Sequence, residues 1–132
     1  MNARWIVLLG ITLELCCWPT AFAQPPLTVA QTEITYLLNF VEISGCEFYR
    51  NGSWYDSVQA EKHMHAKLDY LLARNRVNTA EDFIEQVASK SSLSGRSYEV
   101  RCGACPATLS GDWLKSALAR YRIVAARDSE PL

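Results

Sequence analysis

The 132-residue chain carries no surplus of charge of either sign: 13 lysines and arginines stand against 14 aspartates and glutamates. A dedicated nucleic-acid binder shows a strong basic excess, so that class falls away. Histidine is scarce, with only His63 and His65. Two residues apart on a helix, they point roughly 200° from one another and cannot chelate one ion together. Zinc needs further ligands that the pattern does not supply, so no metal site and no cofactor are expected. No serine sits in a Gly-x-Ser-x-Gly context, and with two histidines and no matching acid a hydrolytic triad has no support. No catalytic residue is assigned. Beyond residue 23 no segment is apolar enough to cross a membrane, which takes about 20 residues. Nor does any repeat, low-complexity tract or linker divide the chain.

What is present begins with an export signal. Arg4 gives a short positive region, and Trp5 to Trp18 form an apolar core interrupted by Glu14. Ala21-Phe22-Ala23 then supplies a small-x-small cleavage site. The apolar stretch is too short for a membrane anchor. Leu15 stands before Cys16, where a lipoprotein signal wants a small residue. Cleavage after Ala23 is therefore expected to deliver residues 24–132 to the periplasm as one domain. Arg4 and Glu14 leave together, so the net charge stays at −1. In that oxidising compartment three cysteines remain: Cys46, Cys102 and Cys105. Three is odd, which allows one internal bridge and leaves one thiol over.

Apolar periodicity places the elements. Gln24 to Leu27, with two prolines, reads as a frayed lead-in. From Thr28 to Ser44, Ile34, Leu37, Leu38 and Val41 recur at helical spacing, and Tyr36, Phe40 and Ile43 line another side that is expected to be buried too. Asn51-Gly52 marks a two-residue hairpin, because both central residues of a type I′ turn need positive φ. That loop sets Arg50 opposite Ser53, Tyr49 opposite Trp54 and Phe48 opposite Tyr55. Asp56 or Ser57 can cap a second helix to about Arg74, with Ala60, Met64, Leu68, Leu71 and Leu72 inward. Thr79 and Asp82 open a third, burying Ala80, Phe83, Ile84 and Val87 and ending in "SKSSLSG", where Gly95 supplies a left-handed turn. Ser97 to Cys102 alternates as a strand, with Tyr98, Val100 and Cys102 facing one way. Ala107 to Gly111 reads as loop. Ser110 or Asp112 starts a last helix with Leu114, Ala117, Leu118 and Tyr121 inward. The order predicts an α+β fold: about four helices with a small antiparallel sheet made of the hairpin plus one strand.

Cys102-Gly103-Ala104-Cys105 has the spacing of a redox dithiol. A thioredoxin-like site places that motif early, with a multi-strand sheet built after it, whereas only residues 106–132 follow here. The alternative is a staple. Cys46 opens the hairpin strand and Cys102 ends an inward-facing alternation, so a Cys46–Cys102 bridge would tie the sheet. Closing so long a loop is worth roughly 4 kcal/mol on chain-entropy arithmetic. Cys46 with Cys105 is the competing pairing; in the favoured one Cys105 is the free thiol.

The stretches "CEFYRNGSWYD", "AEKHMHAKL", "TAEDFIEQVASKSSLSG", "YEVRC" and "WLKSALARYR" resemble a YfeK-like family of small bacterial periplasmic proteins of unknown function. The likeness runs from about Ile34 to Arg122. Matching positions are Cys46, Arg50, Asn51, Gly52, His63, Lys67, Glu81, Phe83, Ile84, Ser91, Ser92, Gly95, Tyr98, Cys102, Trp113 and Leu114. Cys105 departs from the pattern, which weighs further against Cys-x-x-Cys chemistry. The resemblance implies no activity.

On the second helix His63, Lys67, Tyr70 and Arg74 form one stripe beside the apolar face. Long side chains often line a core edge in this way. With Arg50 from the hairpin, the stripe can also bind an anion or a partner's carboxylates. Arg50, His63 and Lys67 are therefore the candidate binding residues, for a protein partner or a small anionic ligand. Lys115 and Arg122 share one side of the last helix and read as a solvated face. The expectation is a non-enzymatic binding domain. Its alternatives are a cell-envelope enzyme using His63 as acid–base, and a thiol–disulfide protein using Cys102 and Cys105.

Overall fold

The first three helices start at polar caps, whereas the last follows Leu109 with no side-chain cap. The computed structural model describes residues 26–129, and the export signal read in residues 1–23 lies outside them. Thr28 caps α1 (Val29–Ile43) in a reciprocal capping box with Gln31. Ile34, Leu37, Leu38 and Val41 are buried along it. Its second side is covered in part: Phe40 stacks on Trp113 at 4.6 Å and Tyr36 on Tyr121 at 4.3 Å. Ile43, expected inside, is 71% exposed.

Strands β1 (Glu47–Arg50) and β2 (Ser53–Asp56) pair in the expected register. Asn51 and Gly52 hold φ at 49° and 97°, the doubly positive pattern of a type I′ turn. Asp56 then caps α2 (Ser57–Leu72), its carboxylate accepting from the Gln59 amide at 2.8 Å. Ala60, Met64, Leu68 and Leu71 face inward, while Leu72, expected with them, faces out.

The third helix, α3, is wound in two ways. Thr79 and Asp82 cap each other's backbone amides over Ala80–Asp82, and the chain then widens into a π-helix over Phe83–Ala88. Phe83, Ile84, Val87 and Ala88 are wholly buried. The Ser89 hydroxyl donates to Ile84 O at 2.6 Å, closing that wide turn. Gly95 holds φ at 70° beyond it.

Strand β3 (Glu99–Arg101) lies antiparallel on β1. The segment read as loop contains a further short strand, β4 (Thr108–Leu109), so the sheet has four strands in the order β2-β1-β3-β4. Helix α4 (Ser110–Asp128) follows directly, burying Leu114, Ala117 and Leu118, with Tyr121 half-buried. The fold is α+β, as expected. Phe48 and Val100 carry one sheet face into the helical core. On the other face Arg101 stacks over Trp54 at 4.1 Å and donates to Glu47 at 2.7 Å.

Cys46 stands one step beyond the Glu47–Arg101 pair and is bonded to Cys102 across the sheet, with 4.4 Å between Cα atoms. Cys105 is exposed and free. Its amide donates to Cys102 O at 3.1 Å, with Gly103 at φ 57°. The Cys-x-x-Cys spacing is thus a tight turn after a cysteine already bonded elsewhere, not a dithiol.

Arg122 corrects the solvated-face reading of α4. Its guanidinium donates twice to the buried Glu33 carboxylate, at 2.6 and 2.8 Å, and once to Glu81 at 2.6 Å. That clamp joins α4, α1 and α3. The Arg122 hydrogen bond also holds the Glu81 carboxyl below its ordinary range. No helix among the described residues is long and apolar enough to cross a membrane.

Candidate functional site

Alternation along β1 puts Arg50 on the same face as Cys46 and Phe48, toward the helices. Continuing the β1–β3 register beyond Phe48–Val100 brings Tyr98 opposite Arg50. Helix α2 passes over this end of the sheet. His63 and Lys67, one turn apart and half-buried, point into the corner. All three candidate binding residues therefore meet. Arg50 Nη1 lies 3.2 Å from His63 Nε2, and its guanidinium sits 5.0 Å from the Tyr55 ring centre. Because an arginine only donates, His63 Nε2 accepts, which fixes a neutral imidazole with its proton on Nδ1. The His63 ring meets Tyr98 edge-on at 6.3 Å, and Lys67 Nζ stands 5.5 Å from the same ring centre.

Lys67 has a second task. Its amine donates to Val87 O at 3.3 Å and Lys90 O at 2.7 Å, satisfying carbonyls left open at the end of α3. Burial, then the positive charges of Lys90 and Arg50, bring its pKa down to about 8. Burial, Arg50 and Lys67 likewise push the His63 pKa below its ordinary value. Tyr98 moves the other way: burial raises its phenol, against the Arg50 charge and the Ser91 hydroxyl.

These groups line an open groove of about 310 Å³ whose walls also include Asn51, Tyr70, Ser91, Ser92 and Leu93. Among the described residues no carboxylate is hydrogen-bonded to Arg50, His63 or Lys67. Tyr70 forms a rim, but Arg74 leaves the stripe: it folds onto the Tyr70 ring at 3.5 Å and donates to Tyr70 O. The hydroxyl-rich loop is turn chemistry. Ser91 Oγ accepts from the Leu93 and Ser94 amides, and Asn51 bridges Ser91 and Ser94. That bridge pins the loop to the hairpin tip as one wall of the groove.

Sequence reasoning missed Tyr98, Asn51 and Lys90 as members of the site. Tyr98 was readable as inward-facing, but its position opposite Arg50 depends on the strand register. Lys90 contributes a backbone carbonyl to Lys67 and a charge beside it, and both depend on where α3 ends in the fold.

Comparison with known proteins decides the family. The model of a family of unknown function (DUF5329) matches residues 28–122, most of the chain. The chain belongs to that family. It is also 33% identical over 90 residues to the uncharacterised protein YfeK of Salmonella typhimurium, covering 67% of this chain and 69% of that relative. No solved structure matches. The matched DUF5329 region contains the whole groove, the Cys46–Cys102 bridge and the Arg122 clamp.

Proposed function

We propose that the protein is an exported, periplasmic, non-enzymatic domain that binds an anionic group, on a small ligand or a partner, through Arg50, His63 and Lys67. The observation that carries this reading is a convergence of basic side chains from two elements on one groove without an acidic partner among the described residues. A folded protein ordinarily pairs such partly buried charges. Burial, and after it the neighbouring positive charges, lower the His63 and Lys67 pKa values, and an anion in the groove would offset the second of these. Arginine supplies the directional part, since its fork matches a carboxylate or oxyanion with two parallel donors.

A general acid–base role for His63 has less support. Among the described residues no carboxylate orients the ring, and its Nε2 already accepts from Arg50. Titration with sodium sulfate at constant ionic strength tests the binding reading. The wild type should saturate, and Arg50→Gln should weaken binding at least tenfold while unfolding at an unchanged temperature. Equal sulfate affinity in the two proteins would remove Arg50 from the site. Export rests on the Arg4, Trp5–Trp18 and Ala21-Phe22-Ala23 pattern. It is tested by N-terminal sequencing of the protein from the periplasmic fraction, with Gln24 expected first. Recovery of the intact chain from the cytoplasm would refute it.

A further inference from the structure

Beside the groove, between the hairpin and α2, lies a second cavity of about 30 Å³. Phe48, Tyr55, Ala60 and Met64 line it, and Arg50, His63 and Tyr98 line both it and the groove. The Arg50–His63 pair therefore stands at the shared border of the two spaces. A cavity of this size holds about two water-sized groups. Its apolar walls offer such waters few partners, whereas a short carbon chain gains from burial there, about fourfold in affinity per CH2. Charge and apolar space are thus set end to end, a match for a molecule with an anionic head and a short tail.

Resting on the anion-binding reading above, we propose that the site takes a short-chain carboxylate of propionate size, whose two-carbon tail fits a space for two water-sized groups. Its tail enters the second cavity and its carboxylate pairs with Arg50 at the border. A bulkier acyl chain exceeds the space, and a bare inorganic anion leaves the cavity unfilled. Phe48 and Met64 are both buried, at 3% exposure each, and form a floor shaped before any ligand arrives.

The test is a set of titrations on the full protein with propionate, acetate and sulfate at constant ionic strength, following the Met64 and Ala60 methyl signals by NMR. Propionate should bind about fourfold more tightly than acetate and shift both methyls; sulfate should leave them unmoved. Ala60→Leu, which fills the cavity, should reduce propionate affinity to that of acetate without changing sulfate binding. Ala60→Val, a smaller intrusion, should give an intermediate loss and serves if the leucine variant does not fold. Equal affinity for all three anions would overturn the carboxylate assignment and leave the anion site standing. No binding of any of them would overturn both.

Discussion

Cys102 could have closed a tiny loop with Cys105, and instead it is tied to a residue 56 positions away. The sheet register explains the pairing. Directly opposed residues at a non-hydrogen-bonded antiparallel site have Cα atoms about 4.5 Å apart, where a bridge needs no backbone movement. The long loop also gives the bond its value, because restraint of the unfolded chain grows with loop length. Cys46→Ser and Cys102→Ser should therefore each lower the free energy of unfolding by about 2–5 kcal/mol in denaturant titrations. Cys105→Ser should leave it nearly unchanged. Mass-spectrometric mapping of the wild type should find Cys105 alone alkylated before reduction; a Cys102–Cys105 bridge there would undo the staple.

At the scale of elements, α3 and the loop after it depend on a side chain from α2. Lys67→Ala would leave Val87 O and Lys90 O without their donor, at about 1–2 kcal/mol. Replacing Lys67 would therefore lower stability as well as any binding, which is why Arg50 is the better probe of the site. The lowered Lys67 pKa has a direction in pH. The folded state releases this proton near pH 8, while the unfolded chain holds it to about 10.5. Between those values the unfolded state binds more protons, so the contribution of Lys67 to stability rises with pH. Burial drives this shift first, then the charges of Lys90 and Arg50; His63 and Tyr98 face the same amine, the imidazole pKa lowered and the phenol pKa raised, each chiefly by burial. Unfolding measured from pH 8 to 10.5 should show a less positive slope in Lys67→Met than in the wild type. An identical slope would mean that Lys67 titrates normally.

The caps at Thr28, Asp56 and Thr79, the hairpin register and the Cys46–Cys102 pairing were legible in the residues, because each depends on short-range chemistry or strict alternation. The π-helix was not: over six residues its apolar spacing cannot be told from that of an α-helix. Strand β4, at two residues, is too short to alternate. Arg50, His63 and Lys67 could be suspected as a group, but their meeting with Tyr98 and the second task of Lys67 needed the tertiary fold.

Across the whole molecule, Arg122 was misread because Glu33 lies 89 residues away along the chain. Arg122→Met would leave the Glu33 carboxylate, 6% exposed, without its paired donors. Since the arginine itself is 45% exposed, the loss is discounted to about 2 kcal/mol. Adding Glu33→Gln to that variant should recover part of it in thermal unfolding, and no recovery would mean that the clamp is not electrostatic.

The same molecule-wide arrangement leaves one corner of the fold positive, with no carboxylate partner among the described residues, and His63 reports on it directly. Its pKa, read from the ring proton shifts by NMR, should lie below the ordinary imidazole value of 6.5 in the free protein. At constant ionic strength, saturating sulfate or propionate should raise it, because a nearby anion favours the protonated ring. A His63 pKa that stays the same with either anion would contradict the claim that this groove binds negative charge.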